Sequence, residues 1–320
     1  MTNNVVTRNI DMADIRGLSL AKRALEVMVA GGFNLLLHGP PGVGKTMLAR
    51  RAAGLFPPLS KEAALEVAEI HSGLGRSSES IADHVPFRAP HYTVATAGLL
   101  GGWLAGSPSP RRGEVLLAHR GLLFLDELPE FSRGCLDGVR SVLSDKNVRI
   151  VRSVETVFPA DFQLLAAMNA CPCGYYGYDG WQARGAGYPE HRCVCPIEAV
   201  RRYQQRIAPL ADSFELAVPV AQLPTVEVGP CSERSESIRQ RIVKAQEIAR
   251  QRAAGQTVDI FGGYAAFTSY RFGTEVERRR IRRVARTIAD LESADEVMDL
   301  HVAEAITLRQ LPEYVLTEKG

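Results

Sequence analysis

The octapeptide Gly39-Pro40-Pro41-Gly42-Val43-Gly44-Lys45-Thr46 narrows the possible folds of this chain more than any other segment. Its glycines permit backbone conformations that side-chain-bearing residues resist, so successive N–H groups can turn into one concavity that cradles phosphate oxygens. Lys45 then stands where an ammonium reaches the β/γ-phosphates, and the Thr46 hydroxyl where it ligates Mg²⁺. Such a loop works between a strand and a helix. Asn34-Leu35-Leu36-Leu37-His38 reads as a buried strand, and Met47 to Ala53 as a helix whose positive N-terminus faces the anion. The expected nucleotide contacts are Gly39, Pro40, Pro41, Gly42, Val43, Gly44, Lys45, Thr46 and Met47, with ATP and Mg²⁺ as the ligands.

Two further apolar runs end in polar groups. Gly121 to Leu125 leads into Asp126-Glu127, as expected of a parallel strand buried on both faces that delivers acids to its C-terminal edge. Asp126 is expected to share the Mg²⁺ shell with Thr46, and Glu127 to polarise the attacking water. Phe162 to Met168 is a third such strand, and Asn169 at its end is placed to orient the water or the γ-phosphate. The catalytic set is therefore Glu127, Lys45 and Asn169.

Length and charge bound the partners. At 320 residues with 46% hydrophobic positions, the chain has room for about two domains. A formal charge of +2 creates no whole-protein field for nucleic acid, so any basic surface must be local. No run of about 18 uncharged apolar residues occurs, and Met1-Thr2-Asn3-Asn4 has no signal-peptide character, so a cytoplasmic protein without a membrane partner is expected.

Four of the six cysteines form two corners, Cys171-Pro172-Cys173 and Cys193-Val194-Cys195. In a reducing compartment they read as thiolate ligands of a Zn²⁺ ion stapling the Gly- and Tyr-rich loop from Tyr175 to Arg192. Because the C-x-C spacing is tighter than the usual C-x₂-C, four free buried thiols are the alternative. His191 is a substitute ligand, and Cys135 and Cys231 read as isolated structural residues.

Helical periodicity marks Leu20–Ala30, Pro57–Ile70, Phe131–Leu143, Glu236–Arg252, Glu275–Leu291 and Asp299–Arg309. Asn147–Arg152 and Glu155–Phe158 alternate as a hairpin turning at Ser153-Val154. The passage from Pro86 to Arg112 is too long for an idle loop and reads as functional. Proline, glycine and serine between Ala221 and Ser237 mark a boundary, giving an α/β nucleotide-binding domain over 1–222 and a small helical domain over 223–320.

These motifs, in this order, resemble an AAA+ ATPase, and more narrowly the magnesium chelatase-like ATPases of the ComM competence type. The resemblance rests on Ala21 to Glu26, Pro86-Phe87-Arg88-Ala89-Pro90-His91, Gly113-Glu114 with Leu117-Ala118-His119, Phe124 to Phe131, Cys171 to Tyr175 and Val284 to Leu291. It implies a P-loop AAA+ parallel sheet with helices on both faces and a C-terminal helical lid, assembled as a homo-oligomer, a hexameric ring with ATP between subunits. An insert in helix 2, about 86–112, and a presensor hairpin, about 145–158, would face the pore; Asn169 would be sensor 1 and 171–195 a Cys-rich loop. ComM-type proteins move branch points in DNA, which makes single-stranded or branched DNA a partner; chelatase relatives remodel a protein, which makes a second ATPase or adaptor subunit the other. Lys146, Arg149 and Arg152 on the hairpin, with Arg88, Arg111 and Arg112 on the insert, are the expected phosphate-tracking cations.

Four departures follow. ComM-type proteins carry a Lon-like domain ahead of the ATPase, so this chain is expected to be the motor alone. Ser213 stands at the arginine-finger position in Leu210-Ala211-Asp212-Ser213-Phe214-Glu215-Leu216, and Val276 stands at sensor 2. The lid between about 255 and 274 reads as shortened. Weak intrinsic hydrolysis is the expectation, because losing a transition-state arginine costs about 10³–10⁵ in phosphoryl transfer. Arg278, Arg279 and Arg280 are the substitutes to examine for sensor 2, and Arg206 and Arg140 for the finger.

Overall fold

The computed structural model describes residues 10–72, 85–103, 110–151, 155–178, 192–220, 233–255, 260–261 and 274–315. Helix α1 (Ser19–Gly31) leads into strand β1 (Leu35–His38), the phosphate-type loop and helix α2 (Lys45–Ala52). Helix α3 (Lys61–Ser72), strand β2 (Phe87–Arg88), helix α4 (Thr96–Leu100), strands β3 (Gly101–Gly102) and β4 (Arg111–Arg112) and helix α5 (Glu114–Leu117) follow. Next come β5 (Leu122–Leu125), α6 (Arg133–Asp145), β6 (Asn147–Val151), β7 (Glu155–Pro159) and β8 (Gln163–Met168). The chain continues through α7 (Ile197–Gln205), α8 (Ala208–Ala211), β9 (Leu216–Pro219), α9 (Ser235–Ala253), β10 (Ile260–Phe261), α10 (Glu275–Leu291), β11 (Glu296–Val297) and α11 (Asp299–Thr307).

Five of these strands form one parallel sheet in the order β2-β5-β8-β1-β9. The period of two in a strand divides its apolar residues between two cores. Leu35, Leu37, Leu122, Phe124, Leu165, Ala167, Leu216 and Val218 face a layer made with α1, α2, α9, α10 and α11. Leu36, Leu123, Leu125, Leu164, Ala166, Met168 and Ala217 face α5, α6, α7 and α8. Burial on both faces is why these strands are unbroken apolar runs. The expected α/β sheet with helices on both faces and a helical C-terminal region is present.

The C-terminal helices do not stand apart from the sheet. Ile238 and Ile242 of α9 and Ile281, Val284 and Ile288 of α10 join the cluster that contains Ala24, Leu25 and Met28 of α1. Buried Glu26 of α1 accepts from Arg241 of α9 at 2.7 Å and from Arg23 at 3.1 Å, so the carboxylate is paired on both oxygens, as burial of a charge requires. Of the expected boundary segment, Ala221 to Ser237, residues 221–232 lie outside the described residues and Ser235 already opens α9; the centre of the lid and Cys231 also lie outside them.

Several elements differ from the sequence expectation. Helix α3 starts at Lys61 rather than Pro57, because Pro57 and Pro58 disfavour the helical conformation upstream, and Ser60 Oγ caps the helix by accepting from Ala63 N–H at 3.2 Å. Phe87–Arg88 is not the start of a protruding insert but the edge strand of the main sheet, paired with Leu122–Leu123. The hairpin is present as antiparallel β6 and β7, with Asn147 opposite Pro159 and Val151 opposite Glu155. Its turn, with Arg152, lies outside the described residues.

Candidate nucleotide and metal sites

β1 delivers the phosphate-type loop to the C-terminal edge of the sheet. Gly39 is buried there, and a Cβ at this position would lie 2.2 Å from Val220 O, so no other residue fits without displacing backbone. Gly42 and Gly44 have φ of +79° and +99°, the left-handed region that favours glycine. Lys45, 8% exposed, folds back over the loop: its Nζ donates to Gly39 O and Pro40 O, each at 2.7 Å, and to Asn169 Oδ1 at 3.0 Å. Burial pushes its ammonium down to about 8, against the opposing pull of the Asp126 and Glu127 carboxylates. Thr46 Oγ1 donates to Asp126 Oδ2 at 2.6 Å, and Glu127 N–H donates to Asp126 Oδ1 at 3.0 Å.

The motifs from β1, β5 and β8 thus meet at one edge. Asp126 and Thr46 present oxygens to a common point, fit to hold a hard divalent cation. Exposed Glu127 has φ of +54°, which turns it off the strand, and a short 3₁₀ turn from Leu128 to Glu130 follows. Asn169 is spanned to Lys45 directly. Pro41, Val43 and Met47 complete the loop: Val43 is buried, whereas Pro41 and Met47 face outward. The arrangement can hold phosphates on backbone N–H groups and an ammonium, fix a cation and present a carboxylate to water.

A second cluster lies directly against the first. Cys171, Cys173, Cys193 and Cys195 bring their Sγ atoms within 4.8 Å of one another. Three of the separations are 3.3, 3.7 and 3.7 Å. Four ligands about 2.3 Å from a tetrahedral Zn²⁺ have mutual separations of about 3.8 Å, so the sulfurs are spaced as that ion requires. Tyr176 N–H donates to Cys171 Sγ at 3.3 Å. Burial opposes ionisation of Cys173, but N–H groups of Tyr175 and Val194 overcome it and hold this thiol down at about 6. Burial raises Cys193 and Cys195. His191 lies outside the described residues, and the four sulfurs make a complete set without it.

Sequence reasoning did not single out Gln204, which is 1% exposed. Its Nε2 donates to Ala170 O at 2.8 Å and its Oε1 accepts from Tyr314 N–H at 2.8 Å, fastening the chain just past Asn169 to the C-terminal segment. Tyr176 OH donates to Glu313 Oε2 at 2.9 Å and meets Tyr314 OH at 3.1 Å. His38 Nε2 bonds Gln310 O at 2.7 Å. A polar residue in a helical pattern gives no sign that it will be buried, so nothing in the sequence marked Gln204.

The cation set needs correction. Arg88 is 5% exposed and bound to Glu114 at 2.6 Å, so it is a core ion pair and not a surface cation for tracking phosphates. Lys146 pairs with Asp161 at 3.0 Å and Arg149 with Glu155 at 3.5 Å, both still well exposed. Arg111 is exposed, while Arg112 donates to the Ile70 and Glu69 carbonyls. Arg280 donates to Asp212 O at 2.7 Å and pairs with Glu277 at 2.8 Å. Asn34, at the entry to β1, donates to Ser213 O at 2.8 Å, so Ser213 and Arg280 lie at the opposite end of β1 from the phosphate loop. Arg280 therefore cannot serve as sensor 2 on this chain's own nucleotide. Arg278 and Arg279 both pair with Glu275. Exposed Arg140 lies on α6, and Arg206 lies 3.3 Å from Glu130, close to the paired acids.

Sheet order, loop and converging acids define the AAA+ class of P-loop proteins. Within that class, the chain belongs to the magnesium chelatase subunit ChlI family, whose model matches residues 11–228, with the family's C-terminal model matching 274–309. It is 35% identical over 330 residues to the uncharacterized protein YifB of Salmonella typhimurium, covering 97% of this chain and 62% of the relative. The values for YifB of Escherichia coli are 36% over 331 residues, 96% and 62%. Competence protein ComM of Haemophilus influenzae is 34% identical over 334 residues, covering 94% and 60%. The chain spans about three fifths of the length of these relatives. Among the described residues no helix is long and apolar enough to cross a membrane.

Proposed function

We propose that this protein binds ATP with Mg²⁺ and hydrolyses it within a homo-oligomeric ring, most simply a hexamer, to drive movement on single-stranded or branched DNA. The observation that carries the ATPase reading is the convergence of Lys45, Thr46, Asp126 and Asn169, from three separate segments, at one sheet edge. In this reading the loop N–H groups from Gly39 to Met47 and Lys45 hold the phosphates, Thr46 and Asp126 hold Mg²⁺, Glu127 accepts the water's proton and Asn169 orients it. Bound Mg²⁺ supplies charge neutralisation at the β/γ-phosphates. Cys171, Cys173, Cys193 and Cys195 hold a structural Zn²⁺, which their spacing suits.

The DNA reading is supported by the similarity to a competence protein and by the exposed Lys146 and Arg149 of the hairpin and Arg111 beside it. A second reading, a chelatase-like remodelling ATPase or assembly switch needing a partner subunit, is favoured by Ser213 and Val276 where the resemblance places arginines. Slow hydrolysis suits a switch better than a translocase.

Phosphate release with and without forked DNA, over a series of salt concentrations, separates the two. Stimulation by DNA that falls steeply with salt is the result expected of a motor tracking phosphates. Indifference to DNA at low salt would transfer the function to the partner-dependent reading.

A further inference from the structure

We infer that the four-cysteine centre and the nucleotide site form one coupled unit, in which metal held by Cys171, Cys173, Cys193 and Cys195 sets the affinity for nucleotide. The inference rests on the zinc reading of those cysteines and goes beyond it.

Two short paths join the sites. The first runs through the backbone. Asn169, which accepts from Lys45 at 3.0 Å, is separated from ligand Cys171 by a single buried residue, Ala170. The second runs through packing. Gly174, directly after Cys173, has φ of +95°, and a Cβ there would come within 2.5 Å of Pro41 Cδ in the phosphate loop. The cysteine corner thus abuts the loop at Pro41 and reaches its lysine through Asn169.

The metal closes this corner. Cys193 and Cys195 arrive from 20 or more positions downstream, and four sulfurs crowded within 4.8 Å hold together when a cation neutralises them. As thiols they bond weakly, and as thiolates they repel. Without the ion the downstream corner separates, the turn from Cys171 to Gly174 loses its clamp, and both Asn169 and Pro41 acquire freedom that nucleotide binding must remove.

Other contacts keep the consequence local. Gln204 still holds Ala170 O and Tyr314 N–H, and Tyr176 still meets Glu313 and Tyr314. The sheet strands lie in the two cores and not on the metal. Metal removal is therefore expected to weaken nucleotide binding without unfolding the protein. Reciprocity requires that nucleotide raise metal affinity by the same factor.

The test uses the full chain purified under a thiol-free reductant. Zinc is counted by atomic emission and then stripped with a chelator that is removed before measurement. Fluorescent ADP is titrated into loaded, stripped and zinc-restored protein, with far-UV circular dichroism on each. The expected result is one zinc per chain, affinity about tenfold weaker on stripping, and full recovery on restoration. ADP should also strengthen zinc about tenfold in equilibrium competition with a chromogenic chelator. Gly174→Ala, which changes no ligand, should keep its zinc and still bind ADP more weakly.

The outcomes are distinct. Zinc well below one per chain would sink the metal reading itself. One zinc per chain with equal ADP affinity in all three states would overturn the coupling and leave the metal standing. If stripping unfolds the chain, Gly174→Ala decides: wild-type ADP affinity with zinc retained overturns the coupling.

Discussion

Lys45 Nζ and Asn169 Oδ1 lie 3.0 Å apart although 124 positions separate them, so the phosphate loop and the end of β8 are joined by a direct hydrogen bond. The same ammonium also caps the carbonyls of Gly39 and Pro40. One side chain therefore organises the loop and stands where phosphate oxygens would compete for it. Lys45→Ala should weaken fluorescent ATP binding by at least a hundredfold, measured by titration in Mg²⁺. Glu127→Gln should leave binding intact and slow phosphate release by about a hundredfold. Release at the parent rate in Glu127→Gln would remove this residue from the role of base.

Ser213 is part-exposed at the turn before β9, its carbonyl held by Asn34 and its neighbours Asp212 and Glu215 bonded to Arg280 and Arg283. If the turn meets a neighbour's nucleotide in a ring, Ser213→Arg supplies the missing cation. Phosphate release by the assembled protein should rise at least tenfold, within the range an added arginine finger provides. An unchanged rate, with assembly confirmed by sedimentation, would show that another residue such as Arg206 already serves.

Burial, aided by the Lys45 charge and opposed by the bond to Gln310 O, pulls the His38 imidazole down to about 4. The unfolded chain takes up a proton near pH 6.5 and the folded one does not until about 4, so stability is lost as pH falls through that interval. The ring is part-exposed, which reduces the loss to about 2 kcal/mol. His38→Gln, which can still donate to Gln310 O, should lose less stability than the wild type in urea unfolding at pH 7 and pH 5. A gap between the two proteins that ignores pH would argue against a neutral, covered imidazole.

Arg88 and Glu114 form an ion pair with both side chains largely buried. Arg88→Met strands the carboxylate and should cost about 3–5 kcal/mol in urea unfolding, most of it recovered when Glu114→Leu is added. The slope of DNA binding against salt should not change, because a buried guanidinium releases no counterion. A slope reduced by about one would return Arg88 to the DNA surface.

The parts of the fold that could be read in advance share a physical property. Leu35–Leu37, Leu122–Leu125 and Leu164–Met168 are buried on both faces, which demands uninterrupted apolar residues and makes the run visible. The glycines of the loop were legible because backbone geometry permits little else. β9 was harder: Leu216–Pro219 is short, and its segment carried the arginine-finger comparison instead. β2 has only two residues, and nothing in Phe87-Arg88 shows that the arginine turns inward to Glu114. In the site, Lys45, Thr46, Asp126 and Asn169 were found by spacing, whereas Gln204, Gly174 and His38 act through contacts with Tyr314, Pro41 and Gln310 that only folding creates. Arg88 failed as a surface residue because charge in a sequence carries no information on burial.

Beyond β9 the chain returns once more to the sheet. Ala217 N–H donates to Leu308 O at 2.8 Å and its carbonyl accepts from Gln310 N–H at 2.6 Å, a one-residue parallel bridge to Arg309. The margin of the sheet beside the nucleotide strand is thereby occupied from within the same molecule. A subunit or peptide seeking to lengthen the sheet by strand addition meets no open seam at Ala217, and the two-residue margin at Phe87–Arg88 offers little in its place. In the ring proposed above, contact between copies therefore falls to surfaces other than the margins of this sheet, which a nucleotide-dependent cycle could rearrange without disturbing its strands.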